Sequence, residues 1–277
     1  MSGGAPASVA ARFRALHARD GPFVMPNPWD AGTARVLAAA GFEAIASASA
    51  ALAATLGRPD GCNAVPRATA IAHARLLVEA VDLPVNGDLE NGFGARPEDV
   101  ARTVEAAIAA GLAGCSIEDA SGDPRRPLFD HALAVERIAA AVAARDALDP
   151  EFVLTARCEA FLTDRDDPLA LCVDRLARMA EVGADVVYAC GMHRAEDIGA
   201  LVAAVDVPVN VLGGSGPEPL PVAALAALGV KRVSLGPRLL QAAMGGFLAA
   251  VDELAGAGTF GFTKRAGDLA RLQPVEG

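Results

Sequence analysis

The chain has 277 residues, 53 % of them hydrophobic and 21 % charged, with a net charge of −10 and a pI near 4.9. This length fits one large α/β barrel or two small domains, with ample material for a core. The acidic balance argues against nucleic acid or an anionic membrane surface as the main partner, so an anionic substrate needs a locally positive pocket or a metal.

Met1 to Ala11 lacks a charged region followed by an apolar stretch, so no signal peptide is expected. No stretch reads as a transmembrane helix. The five cysteines (Cys62, Cys115, Cys158, Cys172 and Cys190) form no CxxC pair. They fit a reduced, cytoplasmic setting better than a disulfide framework.

Short apolar runs then recur, each entering a loop of Gly, Asp, Asn or Ser. They read as strands at Phe23 to Pro26, Ala44 to Ser47, Pro84 to Gly87, Gly114 to Ile117, Phe152 to Ala156, Val186 to Ala189, Pro208 to Val211 and Arg232 to Leu235. Near-continuous apolarity indicates burial on both faces, as in a parallel sheet. Helical patterns lie between most of them, at Arg67 to Ala80, Pro97 to Ala110, His131 to Arg145, Pro168 to Val182, Ala195 to Val205 and Pro219 to Leu228. Gly41, Gly111, Gly183 and Gly229 stand where a helix yields to the next strand. These alternations predict a single α/β domain over residues 1–277, a (β/α)8 TIM-type barrel. An open doubly wound sheet is the alternative, weakened because no GxGxxG follows the first strand. The tail after Gly256 is expected to form a helix pair that packs on a neighbouring subunit.

In such a barrel the C-terminal strand ends carry the chemistry. That rule brings Asn27, Ser47, Asp88, Glu118, Arg157, Cys190 and Asn210 to one rim. The richest stretch is Asn86-Gly87-Asp88-Leu89-Glu90-Asn91-Gly92-Phe93-Gly94. Residues i and i+2 of an extended segment point to one side, so Asp88 and Glu90 look into one cavity. Two such carboxylates repel unless a cation lies between them, and hard oxygen donors suit Mg²⁺. A solvated acidic turn is the plainer alternative. Two further acidic ends, Glu118-Asp119 and Gly57-Arg58-Pro59-Asp60, favour the metal.

Arg157 closes a buried run and needs an anionic partner, either a structural carboxylate or a substrate carboxylate gripped by its planar fork. Glu159 would orient it or a water. Ser47-Ala48-Ser49 offers a carboxylate cradle or simply a helix N-cap. Gly213-Gly214-Ser215-Gly216 reads equally as a phosphate loop or a turn. His17 and His73 fall in helical patterns and are expected to be exposed, whereas His131 could reach the site from a mobile loop. None of the histidines has zinc-ligand spacing. Cys190, with no basic neighbour in sequence, reads as packing. The only lysines are Lys231 and Lys264, and Lys231 enters its strand from the wrong end for Schiff-base chemistry.

Together, Asn27-Pro28-Trp29-Asp30-Ala31, Ser47-Ala48-Ser49 with Gly57-Arg58-Pro59-Asp60, Gly87 to Gly94, Ile117-Glu118-Asp119 and Thr155-Ala156-Arg157 resemble the isocitrate lyase/phosphoenolpyruvate mutase superfamily, in order from about Pro22 to Leu254. The resemblance implies an α/β barrel whose last helix is exchanged between subunits, in a homodimer or homotetramer. It implies Mg²⁺, or Mn²⁺, and a small anionic 2-oxo or 2-hydroxy acid. Asp88 would ligate the metal, with Asp60, Glu90 and Glu118 holding its waters. Ser47, Ala48, Ser49, Arg157 and Asn210 would bind substrate, and Arg157, Asp60 and Glu118 would serve the reaction.

The lyases of this superfamily carry a catalytic cysteine in the loop after the fourth strand. Here residues 118–130 hold none, which disfavours 2-methylisocitrate-type cleavage. The lysine- and asparagine-bearing loop of the mutases and C–P hydrolases is absent as well. What remains is a metal–enolate core under a lid, Ala120 to Phe129, whose Arg125 and Arg126 close over an anion. Prolines and glycine make that lid unsuited to a regular element. The expected activity is a Mg²⁺-dependent lyase of the oxaloacetate decarboxylase type. Phosphonomutase or C–P hydrolase chemistry, and a non-catalytic oxo-acid binding protein, are the alternatives.

Overall fold

The computed structural model describes residues 7–163 and 167–273. Each of the eight apolar runs forms a strand: β1 (Phe23–Met25), β2 (Ile45–Ala46), β3 (Val85–Asp88), β4 (Gly114–Glu118), β5 (Val153–Cys158), β6 (Val186–Ala189), β7 (Val209–Leu212) and β8 (Arg232–Ser234). All pair in parallel, in the order β1-β8-β7-β6-β5-β4-β3-β2. The remaining seam, between β1 and β2, is bridged by the Ala46 N–H donating to Pro26 O at 3.1 Å. Asn27 reinforces it, since its Nδ2 donates to Ser47 O at 2.8 Å and its Oδ1 accepts from the N–H groups of Leu235 and Gly236. The barrel is therefore of the TIM type, nearly closed, with Asn27 as its clasp.

The helices are α1 (Val9–Ala18), α2 (Ala31–Ala39), α3 (Ser49–Thr55), α4 (Arg67–Ala80), α5 (Pro97–Ala109), α6 (His131–Leu148), α7 (Pro168–Glu181), α8 (Ala195–Ala204), α9 (Val222–Ala227) and α10 (Arg238–Ala257). Six of them lie where the sequence pattern puts them. α9 starts three residues later than expected, because Pro221 takes its N-cap position. α1, α2, α3 and α10 are alanine-rich, which blurs the apolar stripe that marks a helix.

α1 lies under the barrel. Its Phe13 packs with Phe23, Ala44, Ala113, Val153 and Val186 in an apolar plug. His17, expected to be exposed, is 6 % exposed because it completes that plug, edge-on to Phe13 and Phe23. The rest of the core lies between the sheet and the surrounding helices.

Beyond α10 the expected helix pair is instead two short 3-10 turns, Gly261–Arg265 and Leu269–Leu272. The second returns to α2 of its own chain, where Leu272 O accepts from Arg35. Residues 274–277 of that tail, and residues 1–6, lie outside the described residues. α10 itself exposes Met244, Phe247, Leu248, Val251 and Leu254. None of the described helices is long and apolar enough to cross a membrane.

Candidate active site

The strand ends converge as the barrel requires. Asp88 ends β3, Glu118 ends β4, and Arg157 is the penultimate residue of β5. Glu118 and Arg157 are paired in register. The Arg157 Nη1 lies 3.0 Å from Glu118 Oε1 and 3.5 Å from Asp88 Oδ1, and its Nε–H bonds Glu159. Burial works against the guanidinium's charge, but Glu118 and then Glu159 outweigh it and hold its pKa well above the usual range. Arg157 thus has three carboxylates already, the structural partnership that competed with substrate binding.

Ser47 and Ser49 are committed in a similar way. The Ser49 N–H and Oγ–H both donate to Asp88 Oδ2, at 3.0 and 3.1 Å. Ser47 Oγ accepts from the Asp88 N–H at 2.9 Å. Ala48 packs its methyl against Ala51 and Leu240. This turn therefore grips Asp88 through Ser47 and Ser49 and aims it.

Glu90 and Asn63 face one another from two loops, the Asn63 N–H donating to Glu90 Oε2 at 2.9 Å. Both are non-glycine residues in the left-handed region, at φ 44° and 54°. Such strain persists only where surrounding contacts over-determine it, and it gathers at functional sites. Asp60 sits on the same outer loop. Desolvation and then Asp88 raise its pKa, with Ser49 opposing. Glu90 is raised mainly by burial, and also by Asp60 and Asp88. Glu118 is raised well above the usual carboxyl range by its full burial, with Glu159, Asp88 and Asp60 adding to the effect against Arg157.

Five carboxylates thus crowd one guanidinium. Among the described residues no three acidic, histidine or cysteine side chains stand close enough to hold an ion together. The donor set still fits Mg²⁺, which keeps several waters and commonly takes one or two protein carboxylates. Asp88, held by the Ser49 N–H and Oγ–H and by Arg157, would be the direct ligand in that arrangement. Asp60, Glu90 and Glu118 would hold its waters, and a divalent charge would offset the burial, and the lesser mutual repulsion, that raise their pKa values.

Below this rim the barrel interior is polar, whereas bulky branched residues usually fill it. A cavity of about 40 Å³ is bounded above by Ser47, Asp88 and Arg157 and below by Asn86, Asn210 and Arg232. Asn210 lines it with both ends of its amide engaged: Nδ2 donates to Ser234 Oγ at 3.0 Å, and Oδ1 accepts from Arg232 Nε at 2.9 Å. Arg232 also donates to Thr155 Oγ1 at 2.9 Å. β5 and β8 are not neighbours in the sheet, so that bond crosses the barrel. Arg232 Nη1 lies 3.3 Å from His17 Nε2. Arg232 opens β8, at the other end of its strand from Arg157, so the strand-end rule that singled out Arg157 passed it over.

Other expected residues lie elsewhere. His131 opens α6 and pairs with Asp174 of α7 at 3.1 Å, which holds it away from the rim. His73 is half-buried, with its Nε2 2.9 Å from Trp29 O. Cys190 does have a basic neighbour, because Arg157 Nη2 lies 3.3 Å from its Sγ and Tyr188 OH lies 3.2 Å from it. Burial pushes the thiol up to about 11, with Arg157 opposing. Lys231 Nζ donates to Arg19 O, at the opposite end from the rim. Ser215 of the glycine loop has a buried hydroxyl without a partner.

The segment 120–129 is more regular than its prolines suggest. An antiparallel bridge joins Ala120 to Leu128, and the N–H groups of Ser121 and Phe129 donate to Pro127 O and Asp119 O. Its base is fixed from below, since Arg175 pairs with Asp119 at 3.1 Å and donates to Phe129 O at 2.7 Å. Arg125 pairs with Asp123 of its own hairpin, and Arg126 is exposed. An opening of about 450 Å³ between the hairpin and the loop around Cys62 leads in to Glu118 and Glu159. The larger groove, about 740 Å³, lies at the barrel floor beside α1, remote from the carboxylates.

The family profile for phosphoenolpyruvate phosphomutase matches residues 13–255. The chain is 33 % identical over 243 residues to a probable 2-methylisocitrate lyase 2 of Corynebacterium glutamicum, covering 84 % of this chain and 76 % of that one. Among solved structures it resembles a protein of Burkholderia cenocepacia described as a lyase/mutase, at 49 % identity and a TM-score of 0.91, covering 95 % and 93 % of the two chains. It also resembles oxaloacetate acetylhydrolase in complex with its product oxalate, at 27 % identity and a TM-score of 0.85, covering 95 % and 92 %.

Proposed function

Because the chain belongs to the phosphoenolpyruvate phosphomutase family, within the isocitrate lyase/phosphoenolpyruvate mutase superfamily, we propose that it is a Mg²⁺-dependent lyase acting on a small 2-oxo dicarboxylate, of the oxaloacetate decarboxylase type. The observation that carries this reading is the convergence of Asp60, Asp88, Glu90 and Glu118 with Arg157 at the C-terminal ends of the strands. When bound, the metal supplies Lewis-acid polarisation of the 2-oxo group. Ser47 and Ser49 hold Asp88 in the orientation this needs. Arg157, braced by Glu118 and Glu159, lies where negative charge develops on the oxo oxygen and stabilises it as a fixed, preorganised donor.

In decarboxylation the C3–C4 bond of oxaloacetate breaks and CO₂ leaves. The electron pair passes into the enolate of pyruvate, which takes a proton at C3. No acid need assist the leaving group, consistent with a hairpin at residues 118–130 that carries no cysteine. The likeness to oxaloacetate acetylhydrolase favours a second reading on the same substrate, hydrolysis to oxalate and acetate. Product analysis separates the two. Oxaloacetate, phosphonopyruvate and 2-methylisocitrate are each incubated with the protein, with and without Mg²⁺. Pyruvate and CO₂ from oxaloacetate, formed only with metal, support the proposal. Turnover of phosphonopyruvate or 2-methylisocitrate alone refutes it, and binding without turnover leaves an oxo-acid binding protein.

The exposed apolar face of α10 is read as the surface exchanged with a second copy, in a homodimer or homotetramer. Light scattering of wild type and Phe247→Glu checks this, with a shift of the variant to monomer expected and a wild-type monomer contradicting it.

A further inference from the structure

The turn after β3 carries Glu90 and holds an unfavourable shape. Glu90 and Phe93 both lie in the left-handed region, at φ 44° and 58°, with Gly92 between them at 80°. Non-glycine residues stay there only where other contacts fix them. Here those contacts come from the helical layer. The Gly92 carbonyl accepts from Thr103 Oγ1 of α5 at 2.7 Å. The carbonyls of Asn91 and Gly94 both accept from one side chain, Arg137 of α6, the Gly94 bond at 2.6 Å.

Arg137 is 1 % exposed, and among the described residues no carboxylate forms an ion pair with it. Burial lowers its pKa to about 10, with Asp99 and Asp119 opposing, so it is charged at neutral pH. A buried cation of this kind is costly. The cost is offset by the two carbonyls, spanned by a planar fork that lysine lacks, and by the face of Phe129, whose ring centre lies 4.1 Å from the guanidinium carbon. Phe129 is the foot of the hairpin: its N–H donates to Asp119 O, and its carbonyl accepts from Arg175. A second tie runs alongside, from Asn91 Nδ2 to Ala120 O at 3.0 Å. One buried guanidinium thus stands between the turn that presents Glu90 and the base of the hairpin that flanks the opening to the site.

We infer that Arg137 is a positioning residue, which sets the Glu90 turn from the helical layer and couples it to the hairpin through Phe129. It meets no rim carboxylate and acts through the backbone at residues 91 and 94. The inference rests on reading Asp60, Asp88, Glu90 and Glu118 as a Mg²⁺ site, and it adds the residue through which that site and the hairpin sense each other.

Calorimetric titration of Mg²⁺ into wild type, Arg137→Met, Glu90→Gln and the double variant tests the first part. Arg137→Met should bind Mg²⁺ about five- to ten-fold more weakly, the lower edge of what outer partners of a metal site are worth. In the Glu90→Gln background the same change should make less than about a two-fold difference, because the group it positions is already disabled. A general loosening of the fold would weaken binding equally in both backgrounds. That result overturns the inference, as does unchanged Mg²⁺ affinity in a folded Arg137→Met. Arg137→Lys keeps the charge without the fork and should resemble Arg137→Met, and wild-type affinity in it would refute the bridging of the two carbonyls.

The coupling is read by hydrogen exchange without metal, so it stands apart from the Mg²⁺ reading. The N–H groups of Gly92 and Phe93 are hydrogen-bonded within the turn, to Leu89 O and Asn91 Oδ1, and serve as reporters. Phe129→Ala should speed their exchange together with that of residues 120–129. Faster exchange confined to the hairpin overturns the coupling. Should Arg137→Met fail to fold, Phe129→Ala decides, since it leaves Arg137 in place. If wild type binds no Mg²⁺ while the two segments still exchange together, the metal reading fails and the setting of the turn by Arg137 stands.

Discussion

His17 sets a pH dependence that can be isolated. The imidazole is 6 % exposed, and its Nδ1 lies 2.9 Å from Phe13 O. That contact assigns the proton to Nδ1 and leaves Nε2 to accept from Arg232. Burial, and then the Arg232 charge, lower its pKa from 6.5 to about 3. A folded pKa below the unfolded one means that the fold favours the neutral form. The contribution to stability is therefore complete above pH 6.5 and is lost as pH falls from there toward 3. At pH 5.5 the unfolded imidazole gains about 1.4 kcal/mol from protonation that the folded one does not. Urea unfolding of wild type and His17→Gln at pH 8.0 and pH 5.5 measures this. The variant is expected to be less stable at pH 8.0, and the gap should narrow by about 1.4 kcal/mol at pH 5.5, a ten-fold change in the unfolding constant. Carboxylates raised by burial, such as Glu90 and Glu118, respond in the opposite sense but cancel between the two proteins. A gap that is the same at both pH values would show that His17 is not held neutral under the barrel, and the packing argument for α1 would fall with it.

The other expectations concern the rim and its supports. Asp88→Ala should abolish Mg²⁺ binding with little change in melting temperature, and an unaltered metal isotherm would remove Asp88 as the direct ligand. Arg157→Lys keeps the charge but loses the fork that spans Glu118 and Glu159, and should cost about 2–5 kcal/mol in transition-state stabilisation, read as kcat/KM. A fall in melting temperature with normal oxalate binding would instead assign Arg157 to the scaffold. Arg175→Met leaves Asp119, which also accepts from the Glu159 N–H, buried without its counter-charge. A loss of about 3–5 kcal/mol is expected in urea unfolding, together with faster hydrogen exchange in residues 120–129. Exchange there at the wild-type rate would mean that the hairpin is not tied down by this pair.

Much of the molecule was legible from local pattern. Strands buried on both faces announce themselves by continuous apolarity, and the acids placed after them had to meet at one rim once eight strands closed into a barrel. Asp88 and Glu90 share the site as expected, but not by the i, i+2 rule, because β3 ends at Asp88 and Glu90 turns through the left-handed region. What the tertiary structure alone decided is how each donor is spent. Whether Ser49 serves a substrate or Asp88 depends on how β2 and β3 lie side by side. Whether Arg232 has a counter-ion depends on β5, β7 and α1, which are 22 to 215 residues away in the chain. His17 looked like a surface residue because a helix lying under a barrel has no face that periodicity can distinguish from one on its flank. Residue order determines which groups reach the rim, but partnerships across a closed barrel join strands that are neither sequence nor sheet neighbours, and no local signal records them.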